Sequence, residues 1–236
     1  MMRLDKFLCE MGVGTRSEVK TYLKKGQVTV DGEIVKKPET KINENENEIC
    51  FLGQALKYEA VQYFLLNKPA GCVTATRDNL SETVMSFLPE NRRDDLFPVG
   101  RLDKDTEGLL VLTNDGQLAH RVLAPKSHVP KTYYAKIDGK VTEEDINDFK
   151  EGVVLDDGYK TMPAELVILE SDDISEIELT IHEGKFHQVK RMFESVGKKV
   201  TYLKRLSMGK LNLDESLELG EYRELTEEEI RLIEER

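Results

Sequence analysis

The stretch Gly100–Gly116, GRLDKDTEGLLVLTNDG, changes character at its middle. Its first half carries Arg101, Asp103, Lys104, Asp105 and Glu107. Its second half, Gly108–Thr113, is GLLVLT, a short apolar run that reads as a buried strand. Asn114-Asp115-Gly116 is a turn signal that ends the strand. The charged half is therefore a loop feeding a strand, and loops carried on rigid sheets are where reactive groups tend to sit. Arg101 beside Asp103 offers a charge pair that would favour the ionised carboxylate. An always-ionised carboxylate suits a nucleophile or an electrostatic stabiliser better than a general acid. The same residues also fit a surface loop with a structural ion pair, and charge alone favours that plainer reading. A metal-binding D-x-D at Asp103 and Asp105 finds no His or further carboxylate at ligand spacing.

Upstream, the chain reads as a small α/β module. Leu4, Phe7, Leu8 and Met11 follow the spacing of one helix face. A second helix starts at a Thr15 or Ser17 cap, buries Val19, Tyr22 and Leu23, and ends at Gly26. Val28 and Val30, then Asp31-Gly32, then Ile34, predict a hairpin. Residues 37–49 are polar, and a linker is expected near residues 54–60. The expected division is residues 1–58 as the module with its linker and 59–236 as a second domain.

The second domain is mostly strand-like. Strands are expected at Tyr63–Leu66, Gly108–Thr113, Thr132–Ile137, Ala164–Leu169, Glu176–Ile181 and near Val200–Arg205. Helices are expected at Thr83–Leu88, Gln117–Leu123, Glu143–Lys150, Phe186–Val196 and Glu227–Arg236, the last with a Thr226/Glu229 capping box. This pattern predicts an α+β fold with one mixed, largely antiparallel sheet.

Net charge over the 236 residues is −11, which argues at first against a nucleic-acid partner. The distribution reverses that argument. Residues 1–41 carry a net +3 and residues 182–210 a net +6, while residues 142–178 carry −11 and residues 214–236 carry −7. A polyanion binder needs a basic face, not a basic total. The three cysteines, Cys9, Cys50 and Cys72, form no C-x-x-C pair, so neither a zinc site nor a disulfide framework follows. With no secretory signal and no apolar run near the roughly 20 residues of a membrane span, the expectation is a cytoplasmic monomer away from membranes. No Walker, G-x-G-x-x-G or zinc pattern is present, so no cofactor and no metal are expected.

GRLDKDTEGLLVLTNDG resembles the signature of the RsuA/RluB/RluE/RluF family of pseudouridine synthases, G-R-L-D-x-x-T-x-G-L-L. Three further segments agree in the family's order. FLLNKPAGCVTA (Phe64–Ala75) resembles the K-P-x-G segment, and KTYYAKIDG (Lys131–Gly139) the segment with the K-x-Y tyrosine. His182–Leu213 resembles the E-G-[KR]-x-x-Q-V-[KR]-R-M segment. The N-terminal module resembles the S4 RNA-binding domain through R-L-D-K-F-L and G-x-x-[ST]-R-x-E. HQVKRM leans toward the RsuA branch, whose substrate is 16S ribosomal RNA, free or in a partly assembled small subunit. A 23S-directed relative and a non-catalytic RNA binder are the rival readings.

The resemblance implies isomerisation of uridine to pseudouridine, with Asp103 as the essential carboxylate. That group either attacks C1′ or removes the C2′ proton. Tyr133 is implied as the tyrosine lying against the uracil ring. Lys190 falls where relatives carry the cation that pairs with the aspartate, with Arg191 as near rival. On a helix from Phe186, the residues Phe186, Val189 and Phe193 would form the docking face, and His187, Lys190 and Arg191 the polar one. The uridine is expected to be flipped out of its stack. Arg101, Lys185, His187, Gln188 and Arg191 are the expected RNA contacts near the site. Arg3, Arg16, Lys20, Lys24 and Lys25 are those of the S4-like module.

Overall fold

The computed structural model describes every residue except Lys57, Glu59, Asn91, Pro125 and Arg236. It divides into two compact units, Met1–Gln62 with Leu88–Phe97, and Tyr63–Phe87 with Pro98–Arg236.

In the first unit, β1 (Met2–Arg3) leads into α1 (Leu4–Glu10) and α2 (Arg16–Lys24). Thr15 caps α2, and Glu18 reaches back to the Thr15 backbone in a capping box. Leu4, Phe7, Leu8 and Met11 are buried with Val19 and Leu23, as their helical spacing requires. Asp31 and Gly32 both take positive φ, 51° and 82°, and join β2 (Val28–Val30) to β3 (Glu33–Ile34). The polar run contains β4 (Lys41–Ile42), which pairs with β1, and ends in β5 (Ile49–Phe51). Where a linker is expected, β6 (Gln54–Leu56) instead pairs with β5 and completes a sheet in the order β3-β2-β5-β6. The turn between them is Leu52-Gly53, both at positive φ, and a leucine there carries no turn signal in sequence. Two linker positions, Lys57 and Glu59, lie outside the described residues. The unit also takes in Leu88–Phe97, where Leu88 and Leu96 are buried and the Arg93 backbone N–H donates to Gln62 (3.0 Å).

The second unit is built on β7 (Tyr63–Lys68), the short β8 (Phe97–Pro98) at its border, β9 (Glu107–Thr113), β10 (Lys131–Asp138), β11 (Glu165–Glu170), β12 (Ile174–Ile181), β13 (Lys199–Met208), β14 (Leu211–Asn212) and β15 (Tyr222–Glu224). The sheet runs β11-β12-β10-β13-β9-β7-β15, and along that order only β13 with β9 is parallel. Gly108 sits at that junction with φ +99°, where a Cβ would lie 2.3 Å from the Arg205 carbonyl oxygen. Only glycine lets the two backbones approach there.

Helices α3 (Gly116–Leu123), α4 (Glu143–Glu151), α5 (Gln188–Ser195) and α6 (Glu227–Leu232) complete the unit. The helix expected at Thr83–Leu88 is a four-residue 3₁₀ turn, Val84–Phe87. The Ser86 hydroxyl bonds the Thr83 carbonyl there (2.8 Å), a local alternative to α-helical pairing. Helix α6 stops at Leu232, whose carbonyl is taken by the Lys210 N–H (2.8 Å); the expected end at Arg236 lies outside the described residues. No helix among the described residues is long and apolar enough to cross a membrane.

Candidate active site

The charged loop ahead of β9 is held by its backbone. Lys68, the last residue of β7, is fully buried. Its ammonium donates to the carbonyls of Pro69 (3.0 Å), Asp103 (3.1 Å) and Thr106 (2.8 Å). Burial pushes its pKa below the ordinary lysine value. The Thr74 hydroxyl donates to the Leu102 carbonyl (2.7 Å), and the Gly71 N–H to that of Lys104 (2.7 Å). The Thr106 N–H closes the turn onto the Asp103 carbonyl (3.1 Å). Residues 102–106 are thus fixed by groups from the segment after β7. This leaves the Asp103 side chain to project from a rigid support.

Asp103 meets Lys190 of α5, with Nζ to Oδ2 at 3.0 Å, and His187, with Nε2 to Oδ1 at 3.6 Å. Lys190 also holds Asp105 at 2.7 Å. Burial works against the Lys190 ammonium, but the two carboxylates outweigh it and raise its pKa. Burial likewise opposes the Asp105 anion, and Lys190 outweighs it and holds that carboxyl below its usual range. Of the two cations weighed for Asp103, its neighbour Arg101 and Lys190, it is Lys190 of α5 that meets it. Arg101 is exposed, while Leu102 between them turns into the core.

An open cleft of about 450 Å³ lies over this pair, lined by Arg101, Asp103, Tyr133, His187 and Lys190 among others. Tyr133 comes from β10 and is largely buried. Tyr134 points to the other face, edge-on to Tyr202 at 5.9 Å between ring centroids. Of the two tyrosines, Tyr133 is therefore the one that lines the carboxylate's cleft. Leu203 and Ile181 give the cleft an apolar wall. An anion, a cation and an aromatic ring thus share one cleft with an apolar side, a composition suited to a planar polar ring attached to a sugar. Among the described residues, no group of three or more His, Cys, Asp or Glu is arranged to hold a metal ion.

The other expected contacts divide. Arg191 is tied to Asp156 and to Asp157 (2.7 Å), leaving Lys190 to face Asp103. Gln188 is buried: it donates to Glu183 (2.8 Å) and accepts from the Lys185 N–H (2.8 Å), so its amide braces the turn ahead of α5 rather than facing outward. Lys185 is exposed, with its ammonium 4.4 Å from the Tyr159 ring centroid. Helix α5 starts at Gln188, two residues later than expected, because His187 takes a left-handed φ of 49°. Phe186 therefore leaves the docking face; it is 72% exposed, while Val189 and Phe193 are buried. In the first unit Arg3 is held by Asp5 (2.7 Å). Arg16, Lys20, Lys24 and Lys25 are exposed, the first three at i, i+4 and i+8 along α2. Lys68 and Thr74 belong to the site and are not singled out from sequence; Asp105 belongs to it through Lys190, where the sequence suggests only half of a metal-binding D-x-D. The K-P-x-G match marks the segment of Lys68, and that was the available signal.

Residues 62–195 match the model of the RNA pseudouridylate synthase family, and residues 2–47 that of the S4 domain. The chain is 50% identical to a Bacillus subtilis (strain 168) protein named as an uncharacterized RNA pseudouridine synthase, YtzG, covering 99% of each. It is 45% identical to the ribosomal small subunit pseudouridine synthase A of Haemophilus influenzae, covering 97% of this chain and 98% of that one. A crystal structure of a pseudouridylate synthase superposes with a TM-score of 0.69 at 43% identity, over 99% of this chain and 100% of the other.

Proposed function

This chain belongs to the RNA pseudouridylate synthase family and carries an S4 domain, and on that footing we propose that it converts a specific uridine of 16S ribosomal RNA to pseudouridine, with Asp103 as the essential carboxylate. The observation that carries the proposal is the Asp103–Lys190 pair at 3.0 Å, opening into the cleft that Tyr133 lines.

Pseudouridine formation breaks the N1–C1′ bond, turns the uracil and rejoins it through C5. Asp103 serves either route to that break: attack on C1′ gives a glycosyl ester, and removal of the C2′ proton gives a glycal. Both need the carboxylate as an anion, and Lys190 supplies the neighbouring positive charge. Lys68 and Thr74 act through the loop backbone and are positioning residues. Tyr133 offers a ring face to the uracil and a hydroxyl toward C5, where a proton must leave. The uridine must leave its stack to reach a carboxylate within a cleft, at a cost of a few kcal/mol. Support for the small-subunit substrate comes from the ribosomal small subunit enzymes that resemble this chain over nearly its whole length. The exposed Arg16, Lys20 and Lys24 stripe suits phosphate contact by the S4 domain.

Incubation with separate 16S and 23S transcripts, followed by pseudouridine mapping, tests this reading. It predicts one modified uridine in 16S RNA. Modification of 23S RNA alone would assign the chain to the other branch, and modification of neither, in free transcripts or in assembling subunits, would overturn it.

A further inference from the structure

Phe186 is exposed where its sequence spacing predicts burial. It is 72% exposed, and it sits at the rim of the cleft between Lys185 and His187. The rings of Phe186 and His187 are stacked, with centroids 3.7 Å apart and planes 20° from parallel. The inner ring, His187, is the one whose Nε2 lies 3.6 Å from Asp103. Its left-handed backbone, costly for a residue with a side chain, turns Phe186 out of the helix and holds the pair in place. The result is a two-ring stack with one end at the carboxylate and the other facing solvent.

The surroundings identify what such a stack would bind. Arg101, Lys104, Lys185 and Phe186 line one broad hollow that also contains Asp103 and His187. The three cations face two carboxylates, Asp103 and Asp78, and this net positive lining suits a polyanion. An exposed flat ring among cations has the composition of a single-stranded nucleic-acid site, where bases stack on aromatics and phosphates meet the charges.

We propose that Phe186 is a stacking platform for an unpaired base adjacent to the target uridine, and so a determinant of substrate positioning. The proposal rests on the pseudouridine synthase reading for the identity of the target. The platform itself is tested by binding as well as by turnover.

Wild type, Phe186→Ala and Phe186→Trp are compared for affinity to a single-stranded oligouridylate over a salt series, and for kcat and KM on 16S transcript. Base–aromatic stacking of about 1–3 kcal/mol corresponds to a loss of roughly 5- to 150-fold at about 1.4 kcal/mol per tenfold. Phe186→Ala should weaken oligonucleotide binding by that factor without changing the salt slope, because no phosphate contact is removed. On transcript the loss should appear in KM rather than kcat, and Phe186→Trp should restore both affinity and KM. Phe186→Ala binding within twofold of wild type would overturn the proposal. So would a lowered melting temperature with binding and kcat lost together in both variants, since the ring would then be packing. An enzyme inert on every transcript would refute the reading of function, and the oligonucleotide series would still decide the platform.

Discussion

Lys68→Met removes the cation that holds the Asp103 loop and keeps most of its stem. The ammonium is fully buried and reaches the carbonyls of Pro69, Asp103 and Thr106 at 3.0, 3.1 and 2.8 Å. The Asp103 carbonyl keeps the Thr106 N–H at 3.1 Å, whereas Pro69 and Thr106 lose their strong donor. The Thr106 carbonyl is orphaned and the Pro69 carbonyl keeps only the weak Cys72 thiol at 3.4 Å; at about 1–3 kcal/mol each, less the relief of no longer burying a charge, this gives about 2–4 kcal/mol. For a chain of this size that lowers Tm by roughly 4–16 °C. A loop displaced by about 1 Å would also cost roughly 100-fold in kcat, read well below the new Tm. The pH dependence carries a sign. Burial lowers the folded pKa of Lys68, so above that value the unfolded chain holds the extra proton, and wild-type stability rises with pH up to about 10.5. The variant should lack that rise. Urea unfolding from pH 8 to 10.5, beside tritium release at 25 °C, measures both effects. A variant with kcat within threefold of wild type and Tm within about 2 °C would refute the reasoning.

Lys190→Met should lower kcat at least tenfold, with Lys190→Arg retaining much of the rate; equal rates in wild type and Lys190→Met would remove the cation from the account. Because two carboxylates raise the Lys190 pKa, its stabilising contribution should be constant below about 10.5 and fade only as pH rises through the folded value, which a urea series would show. Tyr133→Phe keeps the ring and should bind RNA nearly as well while losing roughly 100-fold or more in turnover, the scale of general acid–base catalysis; parallel loss of binding and rate would mark a structural tyrosine. Replacing Arg16, Lys20 and Lys24 together with Gln should reduce the slope of log affinity against log salt by about 2–3, and an unchanged slope would place the RNA grip elsewhere.

Local signals located most of the elements. Thr15 and Thr226 start helices with the Glu three residues on as partner, and Asp31-Gly32 turns the hairpin. The apolar run Leu109–Leu112 is fully buried in β9. What stayed hidden depends on distant or unusual backbone. The β5–β6 hairpin turns on a leucine at φ 51°, which no residue-type rule anticipates. Lys68 lies in Asn67-Lys68-Pro69-Ala70-Gly71, and no residue of that stretch marks a buried lysine. Its burial is set by carbonyls 35 and 38 positions away. Adjacency in sequence suggests Arg101 as the partner of Asp103, whereas Lys190, which arrives from another element, comes forward only through the family resemblance. Phe186 obeys the helix period and still escapes it, because the helix begins after His187.

In the proposed reaction, Asp103 is the group the chemistry cannot do without. Tritium release from 5-³H-uridine-labelled 16S transcript by Asp103→Asn, read beside RNA affinity, tests it most directly. The variant should show no detectable release above background, with affinity within a few-fold of wild type and an unchanged Tm. Release at near wild-type rate by the Asn variant would contradict it.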